Sequence, residues 1–120
     1  MSRSNDDADF SASVRVVSGV AVLQVLGPVD MLSRDDFEAA IDQALATTTE
    51  AVVVDLSSAG LFGSVGFAGL LKLHRATDGV MPVAVVAESL TTRRPLQVMG
   101  VEQIMPLHHT LTDAIDALTA

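Results

Sequence analysis

The chain has 120 residues, enough for one domain with a buried core, and 49% hydrophobic content argues against disorder over most of its length. With 7 Lys and Arg against 15 Asp and Glu, the net charge of −8 excludes a basic face for DNA or RNA. There is no cysteine, which removes disulfides and thiol chemistry, and the apolar runs are too short to span a bilayer.

Met1 to Asp9 reads as a flexible polar tail, and residues 10–120 as a single domain. A secretory leader needs a basic start followed by an apolar stretch, so a cytoplasmic location is expected. Ser13–Val17 and Val20–Leu26 are β-branched-rich runs separated by Ser18-Gly19, which predicts a tight hairpin. Gly27-Pro28-Val29-Asp30 reads as a loop closing the second strand. Ser33 is placed to cap the next helix with Asp36 three residues on, and Leu32 and Phe37 are spaced for a hydrophobic staple. Phe37, Ala40, Ile41, Ala44 and Leu45 form its buried stripe, and Thr47 to Thr49 ends it.

The segment Ala51–Arg75 organises the rest. Ala51–Val54 suits a strand covered on both faces, and Asp55–Gly60 reads as a loop. Phe67, Leu70, Leu71 and His74 then recur at helical spacing, which puts Ser64 at or near a helix N-terminus. That helix should end near Asp78-Gly79. Met81–Val86 follows as a strand and Glu88–Thr92 as a loop. Pro95 belongs in the first turn of a helix, which should therefore begin no earlier than about Thr91. Gly100 ends it, Val101–Leu107 holds a short strand near Ile104, and Thr110 with Asp113 caps the last helix. Its inward residues are Leu111, Ala114, Ile115 and Leu118. Strands alternating with helices imply an α/β fold with a largely parallel sheet.

Ser64 carries the main chemical interest. It can cap the helix, or it can bear a phosphate that the free N–H groups of the first turn accommodate. Phe62-Gly63-Ser64-Val65-Gly66 lacks the first glycine of a G-x-S-x-G nucleophile elbow, and no histidine is placed against Ser64 by the sequence. The chain has no G-K-[ST] tripeptide, and its glycines fail the dinucleotide pattern. Neighbouring His108 and His109 point apart in regular structure and lack companion ligands, so neither a metal nor another cofactor is expected. His74 reads as a packing residue, Arg93-Arg94 as a solvated surface, and the methionines as core filler.

From about Ser13 to Leu118 the chain resembles the STAS domain, and within it the bacterial anti-sigma factor antagonists. Gly27-Pro28-Val29-Asp30 is similar to the family's G-x-x-D, and Gly63-Ser64-Val65-Gly66 to its D-S-x-G. Val52–Ser57, Leu96 and Met99-Gly100-Val101 fall in the matching order. The resemblance implies a SpoIIAA-like fold, a mixed, mostly parallel sheet of about five strands with about four helices. It implies no catalysis. The expected partner is an anti-sigma factor that is itself a serine protein kinase, with no nucleic acid and no membrane, and the oligomeric state is left open.

The family's phosphoacceptor corresponds to Ser64, and the expected partner-binding residues are Asp30, Gly63, Ser64, Val65 and Gly66. Gly63 departs from the family's aspartate, which removes a carboxylate beside the serine. Two rivals stand beside this reading. One is a STAS interaction module not regulated by phosphorylation, as a transporter subunit or signalling scaffold. The other is a small enzyme using Ser64 as nucleophile.

Overall fold

The structure, a computed structural model, describes residues 9–47 and 50–120. Most of the tail expected over Met1–Asp9, and the end of the first helix at Thr48-Thr49, lie outside the described residues. Strands β1 (Ser11–Val17) and β2 (Val20–Val29) form an antiparallel hairpin. Its turn needs positive φ at both central residues, and Ser18 and Gly19 sit at φ 52° and 82°.

Helix α1 (Arg34–Thr47), strand β3 (Ala51–Phe62), helix α2 (Ser64–Thr77), strand β4 (Val83–Val86) and helix α3 (Leu90–Val98) follow. A 3-10 turn at Val101–Gln103, strand β5 (Leu107–His108) and helix α4 (Leu111–Thr119) complete the order. The sheet runs β1-β2-β3-β4-β5, with β2 to β5 mutually parallel. Among the described residues this is the expected architecture of five strands and four helices.

The near-continuous apolar strands are explained by cover on both faces. Ala21, Leu23, Val52, Val54, Val83 and Val85 pack under α1, α2 and α3 through Phe37, Ile41, Leu70, Leu73 and Leu96. Val20, Val22, Val53, Ala84 and Val86 meet α4 through Ala114, Leu111, Ile115 and Leu118. Parallel strands taken in sequence order with right-handed crossovers put the three connecting helices on one face, which leaves the other to α4.

Several local expectations are corrected. β2 runs through the expected loop to Val29, and β3 through Asp55–Gly60 to Phe62. Their pairing is kept by register shifts between Gln24 and Leu26 and between Gly27 and Val29, which absorb the weak strand formers. Leu32 is 95% exposed, so it does not staple to buried Phe37. The buried side of α2 is Gly66, Gly69, Leu70, Leu73 and Thr77, rotated from the predicted stripe, with Gly69 against Phe37 and Ile41 of α1 and Gly66 against Phe62 of β3. α3 starts at Leu90 and carries Pro95 in its interior. Arg93 is buried there and donates to the Ala87 carbonyl at 2.8 Å, while Arg94 is exposed. Ile104 follows the 3-10 turn, not a strand.

Candidate functional site

β2 and β3 end side by side, with Val29 paired to Phe62. The Gly63 N–H donates to the Val29 carbonyl at 3.3 Å, which ties the start of α2 to the turn that begins at Asp30. This is the carboxyl end of the parallel strands, where open α/β sheets present their sites.

Gly63 is the N-cap of α2, at φ −96° and ψ −160°, and no side chain caps this end. Ser64 is therefore the first helical residue and not the cap itself, and it is exposed. The first-turn N–H groups lack intrahelical partners and carry the positive end of the helix dipole, and no acidic residue lies in this turn. An anion on the serine oxygen would meet those donors.

Two glycines shape the turn by contact. A Cβ on Gly66 would lie 2.5 Å from the Phe62 ring, and one on Gly69 2.5 Å from the Phe37 ring. Phe37 makes edge-on contacts with Phe62 and Phe10, at centroid distances of 5.8 Å and 6.3 Å. The first turns of α2 thus rest directly on an aromatic cluster. Gly63 differs, since a Cβ there meets nothing within 4 Å and its φ is negative. Neither space nor backbone conformation requires glycine at that position.

On the other side of the corner, Asp30 Oδ1 accepts from the N–H groups of Leu32 at 3.0 Å and Ser33 at 3.3 Å. The Ser33 hydroxyl donates to the Pro28 carbonyl at 2.9 Å and accepts from the Asp30 N–H at 3.0 Å. Ser33 precedes α1 as expected, but its hydroxyl is spent on this turn instead of on Asp36. The Asp30 carboxylate is consequently held in a fixed place.

Met31, Leu32 and Leu61 flank the corner at 69%, 95% and 68% exposure. Sequence reasoning missed these residues. Their signal was present, since Met31-Leu32 interrupts a turn and Leu61 precedes one, but exposure of an apolar residue is not readable from pattern. The sequence-predicted residues Asp30, Gly63, Ser64, Val65 and Gly66 fall on one corner, with Gly66 buried beneath it and Val65 partly buried.

His74 lies ten residues along α2 from Ser64, about 15 Å at the helical rise, which is out of reach for a general base. Among the described residues, no group of three His, Asp or Glu is arranged to hold a metal, and no helix is long and apolar enough to cross a membrane.

Comparison with known proteins gives a consistent result. The STAS domain family model matches residues 11–114. The anti-sigma-F factor antagonist RsfB of Mycobacterium tuberculosis is 36% identical over 98 residues, covering 82% of this chain and 80% of that protein. The crystal structure of an anti-sigma factor antagonist from Mycobacterium paratuberculosis superposes with a TM-score of 0.87 at 33% identity, covering 93% of this chain and 96% of the other. SpoIIAA in its unphosphorylated form, an anti-sigma factor antagonist, shares the fold at a TM-score of 0.72 and 20% identity, covering 91% and 96%.

Proposed function

The chain belongs to the STAS domain family, among the anti-sigma factor antagonists, and from that premise we propose that it binds an anti-sigma factor of the serine-kinase type and so frees the sigma factor. It does so in the cytoplasm, as a single binding domain over residues 10–120 and without catalysis of its own. Ser64 is the phosphoacceptor, and its modification ends the binding.

The observation that carries this reading is the exposed serine at the head of α2, tied through Gly63 and Val29 to the turn of Asp30. The exposed apolar residues around it, Met31, Leu32 and Leu61, give a partner something to bury. A phosphate adds roughly −1.5 to −2 charges at neutral pH. At a helix start the domain tolerates it, but under a docked protein it must be desolvated, at a cost of several kcal/mol unless paired.

Phosphate on Ser64 of protein isolated from its host, found by mass spectrometry, is the expected result. Ser64→Glu should weaken anti-sigma factor binding by more than about tenfold, a loss of at least about 1.4 kcal/mol. Ser64→Ala should keep it. Full binding by Ser64→Glu would sink the switch. A second reading, an interaction module without phosphorylation control, is favoured by Gly63 in place of the family's aspartate. An unmodified Ser64 in cells where the partner is bound and released normally would select it.

A further inference from the structure

We propose that the head of α3 is an anion site that takes a phosphoryl group, held by the Arg93 guanidinium and the first free N–H groups of the helix. This goes beyond the anti-sigma factor reading and does not depend on it, since Ser64 heads a different helix.

α3 starts without the usual compensation for a helix end. Its N-cap, Ser89, provides no side-chain cap, and its first turn holds no acidic residue. The Ser89 hydroxyl reaches only that of Thr92, at 3.5 Å. The N–H groups of Thr92 and Arg93 return to the Ser89 carbonyl at 3.1 Å and 2.9 Å, while those of Leu90 and Thr91 precede any intrahelical acceptor. Helix α4 is the contrast, capped by Thr110 with Asp113 in its first turn. α3 instead carries Arg93 and Arg94 near its start, where the helix dipole already presents positive charge. That arrangement is unfavourable unless an anion lies among these groups.

Arg93 is the second observation. It is only 7% exposed, and its side chain leans back toward the helix start, as helical side chains do. Its Nη1 donates to the carbonyl of Ala87, two residues ahead of Ser89, at 2.8 Å. A guanidinium has five N–H donors, and this bond uses one. Among the described residues no carboxylate lies within ion-pairing distance of Arg93, and no second acceptor is bonded to it. Every fully buried side-chain nitrogen among the described residues has a partner, so the Arg93 nitrogens without one reach the surface. A cation buried along its stem and left without an anion costs stability unless something outside pairs with it.

The site lies at the carboxyl end of β4, on the edge of the sheet where open α/β folds bind ligands. The neighbouring carboxylates do not fill it. Glu88 is exposed and precedes the cap, and Asp55, level with Val86 on β3, accepts from the Ser57 N–H at 3.0 Å. Two backbone N–H groups beside a guanidinium fork suit a phosphoryl group, whose oxygens point in several directions. A flat carboxylate is satisfied by the fork alone, and lysine would supply no fork. With a chain charge of −8, affinity for a free anion is modest, so the test reads individual signals.

The full isotope-labelled chain is titrated with sodium phosphate at neutral pH and fixed ionic strength, and followed by NMR. The Leu90 and Thr91 amide signals and the Arg93 Nε–H signal should shift together and saturate. Chloride should leave them in place, and acetate should bind more weakly than phosphate. Arg93→Met keeps the buried stem without the fork and should weaken phosphate binding at least about tenfold. Leu90→Pro removes one N–H donor at a position that accepts proline, after a Ser89 whose φ of −81° and ψ of 149° suit the residue before one. It should keep the fold in circular dichroism and weaken phosphate binding about tenfold, which decides the matter if Arg93→Met is poorly folded. A phosphoserine peptide in a second titration identifies the carrier. Tighter binding than inorganic phosphate assigns the site to a phosphorylated partner chain, and equal or weaker binding assigns it to a free phosphate. A wild type whose three signals do not saturate with phosphate overturns the proposal. So do acetate binding as tight as phosphate, and a folded Leu90→Pro that binds phosphate like the wild type.

Discussion

Replacing Gly63 by aspartate should make the protein more stable. Gly63 is the N-cap of α2, its φ of −96° is open to any residue, and a Cβ there meets nothing within 4 Å. A carboxylate at this position can accept from the N–H groups of Val65 or Gly66, which no side chain now caps. Aspartate exceeds glycine as a cap by only a few tenths of a kcal/mol. Removing a glycine from a conformation it does not need adds about 0.4–1 kcal/mol by restricting the unfolded chain. Repulsion from the Asp30 carboxylate, across water, subtracts about 0.5 kcal/mol or less. The balance is a gain of roughly 0.5–1 kcal/mol, or about 2–4 °C in melting temperature for a chain of this size.

Urea and thermal unfolding at neutral pH measure the gain. It should shrink when the new carboxyl is protonated at about pH 3, since the charged form makes the cap and lowers the folded-state pKa. Equal or lower stability at neutral pH would refute the assignment of Gly63 as an unconstrained cap. A positive result would also show that the fold does not demand glycine at this position.

Three further outcomes follow from the same geometry. Gly69→Ala gains about 1 kcal/mol of helix propensity, but its methyl must displace the Phe37 ring, which is fully buried and held by two other aromatics. Overpacking of about 1–3 kcal/mol should win, and a variant as stable as wild type in urea would contradict the contact. The Thr110 hydroxyl accepts from the Asp113 N–H at 3.1 Å, so Thr110→Ala should cost about 0.5–2 kcal/mol, read from the shift of the denaturation midpoint. Leu61→Ser should change stability by less than about 0.5 kcal/mol, because the side chain is mostly in water. Calorimetric titration should nonetheless show weaker anti-sigma factor binding, and unchanged affinity would remove Leu61 from the docking face.

Much of this was legible where local chemistry has one solution. Ser18-Gly19 between apolar runs admits few turns, and Thr110 with Asp113 admits few uses other than a cap. The element order followed because buried parallel strands and amphipathic helices differ in period. The corner around Ser64 was legible from its motif, yet its details were not. Asp55–Gly60 contains poor strand formers, and only the neighbouring β2, through shifted register, holds it in the sheet. Gly66 and Gly69 within a helical pattern pointed to close helix packing, but not to the rings of Phe62 and Phe37 as what they touch. Arg93 looked solvated because its partner, the Ala87 carbonyl, is a backbone atom with no sequence signature. Met31 departs from the expected core role of methionine for a similar reason, since exposure is decided by the turn and not by the residue.

The aromatic seat under α2 bears on how a message at Ser64 travels. With Phe62 and Phe37 lodged where side chains on Gly66 and Gly69 would stand, the head of the helix has nowhere to go. A modification there has no lever to pull. If Ser64 is modified as proposed, circular dichroism of the free protein should show the same fold before and after, and the difference should be felt by a molecule docking on that spot.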